Sequence, residues 1–262
     1  MSATTYENVR YEVRERTAIV TLNRADRMNA IIPQLRLDVV NAFRAADDDD
    51  EVQTIVLTGD GRGFCAGRDL KAAENSPGSE MTPEQAAVGS DFPLILRSVL
   101  KPVIAAVNGP ARGAGCNLVF AADFRIVSER ANFAVNFIER GIVAEYALFF
   151  LSRLIGVHRA TEICMLGDVF DAQQANDWGL AHQLVAHEEL MDAAMDLARR
   201  LAARAPLAVQ ETKAEINRVH HVTADEFTVM QSAANARLRE TDDWTEGIQA
   251  FREKRPPNFR GR

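Results

Sequence analysis

GDGRGFCAGRD, at residues 59–69, is a glycine-rich turn that directly follows an apolar, strand-like run at residues 52–58. A second glycine-rich turn, NGPARGAGCN at residues 108–117, follows the apolar run at residues 102–107. A helix-like segment comes after each turn. Such a junction leaves backbone N–H groups unpaired, with the positive end of the helix dipole behind them. Two such turns side by side would bind one anionic oxygen from both sides, which predicts an oxyanion hole and acyl chemistry.

The composition is typical of a single enzyme-sized domain. The 262 residues, 47% of them hydrophobic, are enough to bury a full core. No apolar run approaches membrane-spanning length, and the first ten residues lack the apolar stretch of a signal peptide. Because Cys65, Cys116 and Cys164 lack C-x-x-C spacing, neither a disulfide framework nor a zinc site is expected. We therefore expect a soluble, cytoplasmic protein without a membrane partner.

The net charge also restricts the possible partners. Nucleic-acid binding needs a basic surface, whereas this chain carries a formal charge of −7. Residues 34–50 hold only Arg36 and Arg44 against an acidic run at residues 47–50, and this run is interpreted as a solvated helix end. Nucleic-acid binding is therefore not expected, although a few local arginines remain compatible with an anionic small molecule.

The order of elements predicts an α/β layer followed by a helical region. Residues 9–22 are interpreted as a hairpin, and Pro33 begins a helix. Residues 71–79 are small and polar, which predicts a loop, and a capping box at residues 82–85 predicts a helix to about residue 100. From residue 144 onward the pattern is mostly helical. Because such helices carry exposed apolar faces, we expect a homo-oligomer.

Seven stretches resemble the crotonase (enoyl-CoA hydratase/isomerase) superfamily, in that family's order. They are Leu22-Asn-Arg24 with Asn29-Ala30, and residues 63–70, 101–109, 113–118, 122–126, 175–180 and 246–255. The resemblance implies an α/β fold of the ClpP/crotonase type, a spiral of ββα units with a helical C-terminal trimerisation region. It divides the chain into an acyl-CoA-binding core at residues 1–200 and a helical region at residues 201–262 that forms the oligomer and covers the active site. It also implies a homotrimer or a dimer of trimers.

The same resemblance implies a coenzyme A thioester substrate and assigns its contacts. The family's two oxyanion donors correspond to the backbone N–H groups of Arg68 and Ala114. Coenzyme A would lie along the first turn, with Arg24 near its phosphates and two C-terminal residues reaching a neighbouring site. The implied contacts are Arg24, Arg27, Ala66, Asp69, Leu70, Phe251 and Lys254. Coenzyme A enters as part of the substrate, so no separate cofactor and no metal are expected.

The catalytic carboxylates of a family hydratase are missing from this chain. Such a hydratase uses two glutamates to activate water, and their positions hold Asn117 and Phe137. Relatives such as dienoyl-CoA isomerases carry an acid at a third position, where this chain has Glu145. Its apolar neighbours in the sequence would raise the pKa of Glu145 toward the range useful for proton transfer if the side chain is buried. Glu145 is therefore the candidate acid/base.

Several interpretations remain open at this stage. Glu145 is also compatible with a plain N-terminal position on the helix that begins at Tyr146, favoured there by the dipole. Asn117 is interpreted either as a substrate or water ligand or as a cap near its turn. Double-bond isomerisation with Glu145 as the single acid/base is the leading hypothesis. The alternatives are a hydratase or hydrolase in which Glu145 activates water, and a non-catalytic acyl-CoA-binding protein.

Overall fold

A six-stranded sheet runs through the centre of the computed structural model, which describes residues 6–75, 81–89 and 91–262. The strands are β1 (Val9–Arg14), β2 (Thr17–Leu22), β3 (Thr54–Gly59), β4 (Val103–Val107), β5 (Ala111–Arg112), β6 (Phe124–Ser128), β7 (Asn132–Ala134), β8 (Phe170–Asp171) and β9 (Gln183–Val185). The large sheet has the order β1-β2-β3-β4-β6-β9, and a small sheet has the order β5-β7-β8. The predicted hairpin is confirmed, because β1 pairs antiparallel with β2. All other pairs of the large sheet are parallel.

Twelve α-helices surround the sheets in the described part of the chain. They are α1 (Pro33–Asp48), α2 (Leu70–Asn75), α3 (Pro83–Val88), α4 (Phe92–Ser98), α5 (Ala114–Ala121), α6 (Tyr146–Leu154), α7 (Gly156–Leu166), α8 (Ala172–Asp177), α9 (Leu190–Ala202), α10 (Pro206–Arg218), α11 (Ala224–Arg239) and α12 (Asp242–Glu253). Strands and helices alternate up to β9, and the rest is helical. The predicted α/β architecture with a helical C-terminal region is therefore confirmed.

The large sheet is covered on both faces, so its central strands are apolar throughout. Successive residues of a strand point to opposite faces. On β3, Ile55 and Leu57 lie in the core that includes α1, α4 and α5, whereas Val56 lies in the second core, which is closed by α9. The apolar face of α9 supplies Leu190 and Leu197 to that second core. This double burial explains why the runs before the two glycine-rich turns show no alternation of polar and apolar residues.

Two predictions about the segment after the first turn are corrected by the structure. Residues 70–75 form α2, where a loop was predicted over residues 71–79; residues 76–80 lie outside the described part. The helix predicted from residue 82 to about 100 is two helices, α3 and α4. The capping box at Thr82 and Gln85 does form, but α3 ends at Gly89, whose φ of 53° is a left-handed conformation.

The acidic run at the end of α1 has a structural role beyond solvation. Asp47 Oδ1 accepts hydrogen bonds from the backbone N–H groups of Leu100 and Lys101, at 2.9 and 3.1 Å. The ammonium group of Lys101 donates to the carbonyl oxygens of Ala46 and Asp49. The end of α1 is thereby attached to the segment that leads into β4. The interpretation of this run as a merely solvated helix end was incomplete.

Helices α10 to α12 form the C-terminal part of the chain, as the sequence predicts. Apolar side chains on these helices reach the surface, among them Ile216, Val229 and Phe251. The boundary expected at residue 200 falls near the end of α9, which packs on the large sheet. None of the helices in the described ranges is both long and apolar enough to cross a membrane.

Candidate active site

The two glycine-rich turns lie side by side because the strands that precede them are neighbours. Strands β3 and β4 pair in parallel, so both turns leave the same edge of the large sheet. A single parallel bridge joins the turns between Cys65 and Ala111. The backbone N–H of Arg112 donates to the Cys65 carbonyl at 2.9 Å, and the Cys65 N–H donates to the carbonyl of Pro110 at 3.2 Å. The predicted juxtaposition of the turns is confirmed.

Glycine is required where these two turns touch. A Cβ atom built on Gly115 would lie 2.3 Å from the carbonyl oxygen of Cys65, closer than real Cβ atoms approach. A Cβ on Gly67 would lie 2.6 Å from the carbonyl oxygen of Arg112 and 3.4 Å from the amide nitrogen of Ala114. Gly67 also has a φ of 80°, which strains every residue with a side chain. The close approach of the turns therefore depends on these two glycines.

The two predicted oxyanion donors face one cavity and have no hydrogen-bond acceptor. Arg68 lies next to Gly67, and Ala114 is the first residue of α5, where a helix leaves its amide unsatisfied. Within residues 6–75, 81–89 and 91–262, neither amide N–H donates to another group. Both residues line the same cavity. Two unpaired N–H groups, one of them at a helix N-terminus, form a site that favours a developing negative charge.

The cavity has a volume of about 930 Å³, which is ample for an acyl chain. Its wall combines the two turns with the start of α1 and with the segment before α6. The lining residues are Ile31, Ile32, Pro33, Arg36, Ala66, Gly67, Arg68, Asp69, Leu70, Ala72, Met81, Phe92, Arg112, Gly113, Ala114, Asn136, Phe137, Arg140, Ile142 and Glu145. Phe137, which stands where a family hydratase carries a glutamate, contributes an apolar ring to this wall.

Glu145 lies on the cavity wall immediately before α6. It holds the N-cap position of that helix, but its carboxylate makes no capping hydrogen bond to the helix backbone. Its backbone has a φ of 45° and a ψ of −134°, a conformation that few residues other than glycine adopt. A glutamate that served only the helix would cap it, or lie in its first turn with ordinary angles. Glu145 instead lines the cavity, and its carboxylate accepts a hydrogen bond from the buried side chain of Asn117.

The charge state of Glu145 is set by opposing effects. Partial burial raises its pKa, while the guanidinium groups of Arg68 and Arg36 and a hydrogen bond from Asn117 act in the opposite direction. Burial is the largest of these effects, so the pKa lies above the ordinary value for a glutamate. Val143 and Leu148, which the sequence suggested as its apolar surroundings, are exposed instead. The cavity wall itself therefore provides the partial burial. A raised pKa is suited to general acid–base catalysis near neutral pH.

Asn117 lies behind Glu145 rather than on the cavity wall. Its side chain is fully buried on α5, and its Nδ2 donates to Glu145 Oε2 at 3.2 Å. Its Oδ1 is buried without a hydrogen-bond partner in the described part of the chain. Asn117 does not line the cavity, so a direct contact with substrate is not supported. The geometry makes it a positioning residue for Glu145.

The residues expected to contact coenzyme A along the first turn are only partly available. Ala66, Asp69 and Leu70 line the cavity. Arg24 is already engaged, since its guanidinium pairs with Asp69 at 3.1 Å and also donates to the carbonyl of Ala30. Arg27 is exposed and lies 3.4 Å from Asp26. Arg24 therefore holds Asp69 of the first turn in place, whereas the more exposed Arg27 remains more accessible to a ligand.

Phe251 and Lys254 are not near this cavity within one copy of the chain. Phe251 lies on α12 and is 85% exposed, and Lys254 is the residue that ends this helix, with a φ of 54°. Neither lines the cavity. Tyr146, which follows Glu145 in the sequence, packs its ring against Phe150 and makes no side-chain hydrogen bond in the described chain.

Three cationic residues of the wall, Arg36, Arg112 and Arg140, were not identified as site residues from the sequence. Arg36 lies on α1, whose position relative to the first turn follows from the bridge between Ile31 and Arg68. The helical spacing could have indicated that Arg36 is not an ordinary surface residue. It lies one turn from Ile32 and one turn from Val40, on a largely apolar side of α1. Arg140 lies 3.9 Å from Glu139 in an exposed pair, and it also lines the cavity.

The cysteines are inert in this structure. Cys65 and Cys116 are fully buried, and burial raises the pKa of each thiol to about 12. Burial also raises the pKa of Cys164, to about 11. Because only the thiolate is a nucleophile, Cys65 and Cys116 are packing residues in this structure.

Comparison with known sequences assigns the chain to a family. Residues 12–262 match the family described as enoyl-CoA hydratase/isomerase. The chain is 33% identical, over 93% of its length and 94% of the relative, to 1,2-epoxyphenylacetyl-CoA isomerase of Escherichia coli K12. It is 34% identical, over 97% of its length and 98% of the relative, to crotonyl-CoA hydratase of Syntrophomonas wolfei.

Comparison with solved structures agrees with this assignment. The crystal structure of enoyl-CoA hydratase from Bacillus anthracis superposes with a TM-score of 0.91 at 30% identity, covering 98% of this chain and all of the other. The structure of an enoyl-CoA hydratase from Mycobacterium tuberculosis gives a TM-score of 0.89 at 32% identity, covering 97% and 99% of the two chains. Together with the two packed turns and their unpaired amides, these similarities show that the chain belongs to the crotonase superfamily, as a member of its enoyl-CoA hydratase/isomerase family.

Proposed function

We propose that this protein moves a carbon–carbon double bond within an enoyl-CoA thioester. The thioester oxygen would accept hydrogen bonds from the N–H groups of Arg68 and Ala114. Glu145 would remove a proton from one carbon of the acyl chain and return it to another. This reaction requires one base and no activated water, which matches the replacement of both hydratase glutamates by Asn117 and Phe137.

One observation carries this proposal: the cavity wall offers a single carboxylate free for proton transfer. In the described chain the acidic residues of the wall are Asp69 and Glu145. Asp69 is held by Arg24, and its pKa is lowered, first by a hydrogen bond from the Ala72 N–H and further by Arg24. The pKa of Glu145 is shifted the other way, toward neutral pH. Two carboxylates whose environments separate their pKa values in this manner differ in role, and Glu145 is the acid/base.

The proposed proton transfer follows from the charge that the thioester develops. When Glu145 takes a proton from the acyl chain, the negative charge is delocalised onto the thioester oxygen. The two unpaired amides stabilise that oxygen more strongly than the neutral carbonyl, and loss of one such donor typically costs about 10²–10³ in rate. Glu145, now protonated and open to exchange with solvent, delivers a proton to the far end of the conjugated system. Glu145 thus acts first as the base and then, once protonated, as the acid.

Coenzyme A would extend away from Glu145 along the first turn. The proposed contacts there are the backbone around Ala66 and Asp69, the side chain of Leu70, and the exposed cation of Arg27. Arg24 would act through Asp69. Phe251 and Lys254 would contribute only in an oligomer, by reaching the coenzyme A of a neighbouring copy, which fits their exposure and the fact that neither lines the cavity of its own chain.

Hydration is the second candidate, and the names of several relatives favour it, crotonyl-CoA hydratase of Syntrophomonas wolfei among them. Glu145 would then activate a water molecule for addition to the double bond. The buried position of Asn117 argues against its orienting that water directly. A hydratase of this kind would therefore operate with Glu145 alone, where the family mechanism uses two glutamates.

The test is incubation of the purified protein with crotonyl-CoA, a 3-enoyl-CoA and a 3,5-dienoyl-CoA in deuterated water, followed by mass spectrometry. Double-bond migration with deuterium incorporation but no added water supports the isomerase. Addition of water to crotonyl-CoA would establish the hydratase instead. Binding of all three thioesters without exchange or turnover would contradict both and favour a binding protein.

A further inference from the structure

The cavity carries more positive charge than a thioester requires. Its ionisable wall residues in the described chain are four arginines and two carboxylates: Arg36, Arg68, Arg112, Arg140, Asp69 and Glu145. A thioester carbonyl and an aliphatic chain are neutral, and the oxyanion is bound by backbone amides. The side-chain cations of the acyl region therefore call for another explanation.

Some of these charges already have partners. Asp69 is paired with Arg24 from behind the wall. The guanidinium of Arg112 donates to the backbone carbonyl of Asn132 at 2.9 Å and also to the side-chain oxygen of that residue. Arg140 donates to the carbonyl of Asn136 and lies 3.9 Å from Glu139. What remains is a group of three, Arg36, Arg68 and Glu145, which together hold one unbalanced positive charge.

Arg36 is held in place on the wall by α1 and by the end of α3. Its Nη1 donates to the carbonyl of Gly89 at 2.5 Å, and its Nη2 contacts the sulfur of Met81, a weak acceptor, at 3.8 Å, so most of its five guanidinium donors are not used. The side chain is half-buried, and no acidic residue in the described ranges forms an ion pair with it. Arg68, across the cavity, is exposed and likewise has no side-chain partner within these ranges. Both guanidinium groups thus retain free donors at the cavity.

These two arginines lie close enough to influence each other. Burial lowers the pKa of Arg36, the neighbouring charge of Arg68 lowers it further, and Glu145 acts against both. Two cations on a partly desolvated wall repel each other, and this repulsion is relieved when an anion lies between them. The pair is therefore arranged to receive a negative group.

The anion in question is unlike the phosphates of coenzyme A, because Arg36 and Arg68 line the cavity together with Glu145, whereas Arg24 and Arg27 do not line it. Arg24 and Arg27 act on Asp69, at the first turn. Arg36 and Arg68 act on Glu145, the residue proposed to reach the reacting carbons. A group bound by Arg36 and Arg68 therefore lies at the acyl end of the substrate, not at its nucleotide end.

We propose that the natural substrate is an acyl-CoA whose acyl chain ends in a carboxylate, and that Arg36 and Arg68 bind this carboxylate. This inference rests on the proposed acyl-CoA function and narrows its substrate class. Guanidinium groups recognise a carboxylate through two parallel hydrogen bonds, which gives direction as well as affinity. The apolar wall at Ile31, Phe92 and Phe137 would accommodate the methylene groups between the two ends.

The test compares matched saturated ligands, which bind without reacting. Isothermal titration calorimetry would measure glutaryl-, adipoyl- and pimeloyl-CoA against pentanoyl-, hexanoyl- and heptanoyl-CoA, with free coenzyme A as reference. We expect the dicarboxylic ligand of at least one chain length to bind about tenfold or more tightly than its neutral partner, because charge-assisted hydrogen bonds are the strong ones. The preference should weaken as salt is added.

Variants then locate the preference. Arg36→Met should abolish the preference for the dicarboxylic ligand, so that the two affinities become equal. Arg36→Lys should retain part of this preference. Arg44→Met, an exposed change of the same charge on the same helix, should leave the ratio intact. Circular dichroism would verify that each variant folds.

Three results would overturn the inference, and they are distinct. Equal affinities within every pair of ligands would exclude a carboxylate site while leaving the acyl-CoA function standing. An equal loss for both members of a pair in Arg36→Met would mean that Arg36 serves coenzyme A or the fold. Failure of every ligand, free coenzyme A included, to bind would contradict the proposed function itself and this inference with it.

Discussion

The side-chain amide of Asn117 donates a hydrogen bond of 3.2 Å to Glu145, across 28 positions of the chain. One partner is buried on α5 and the other lies on the cavity wall before α6. The bond favours the ionised carboxylate, which is the form that removes a proton. Asn117 Oδ1 is buried without a hydrogen-bond partner in the described chain, which lowers the stability of the fold. We therefore expect Asn117 to serve Glu145 rather than the stability of the protein.

Replacement of Asn117 by leucine should separate activity from stability. The loss of the donor raises the pKa of Glu145 further, so the ionised form appears only at higher pH. The acidic limb of the kcat/KM profile should therefore move to higher pH, with activity approaching the unmodified level in alkaline buffer. An apolar side chain of similar shape also removes an unpaired buried oxygen, so the free energy of unfolding should stay the same or rise.

The control for this variant is Asn176→Leu, an exposed change on α8 away from the cavity. It should leave the pH profile unmoved. A profile that is unchanged in Asn117→Leu, with a large loss of stability, would show that Asn117 is only a packing residue.

Gly67 and Gly156 provide a matched pair of glycines, since both have a φ of 80°. In Gly67→Ala the new methyl group meets the carbonyl of Arg112 and pushes the two turns apart, whereas around Gly156 there is open space. Both variants carry the backbone strain, but only Gly67→Ala adds an overlap of about 1–3 kcal/mol. We expect turnover to fall about 10²–10³-fold in Gly67→Ala alone, as when an oxyanion donor is lost.

Chemical denaturation and steady-state kinetics would measure both quantities. Similar kinetics in the two glycine variants would mean that the spacing of the turns does not control the reaction.

The three cysteines should resist alkylation in the folded protein. With thiol pKa values raised to about 12 for Cys65 and Cys116 and to about 11 for Cys164, almost no thiolate exists at pH 8. Treatment with iodoacetamide should therefore leave both mass and activity unchanged, and three labels should appear once the protein is unfolded in guanidinium. Rapid labelling of the folded protein with loss of activity would contradict the assignment of these residues to packing.

The parts of the site that the sequence predicts are those built by local rules. A strand, a glycine-rich turn and a helix occur together within about twenty residues, so two turns with unpaired amides could be predicted from the sequence. The assignment of these amides to Arg68 and Ala114 came from the resemblance to the crotonase superfamily. The break between α3 and α4 was missed because the capping box marks where a helix begins but not where Gly89 ends it. Arg36 and the support of Glu145 by Asn117 were missed because both arise from packing between distant segments.

Glu145 shows most clearly what could not be predicted from the sequence. Its apolar sequence neighbours suggested the right direction for its pKa, although Val143 and Leu148 among them are exposed while Ala144 is buried. The partial burial depends on where the cavity wall lies, and the backbone angles of Glu145 depend on how α6 meets that wall. Neither follows from residues adjacent in the chain.

The central claim is that Glu145 is the single acid/base of the site. The most direct measurement compares Glu145→Gln with Glu139→Gln, a glutamate on the nearby exposed surface, by following deuterium exchange and double-bond migration in a 3-enoyl-CoA in deuterated water. Calorimetry with hexanoyl-CoA would establish that both variants still bind an acyl-CoA. The account predicts that Glu145→Gln loses about 10²–10⁴-fold in both rates while Glu139→Gln matches the unmodified protein. Exchange at a near-normal rate in Glu145→Gln would contradict it.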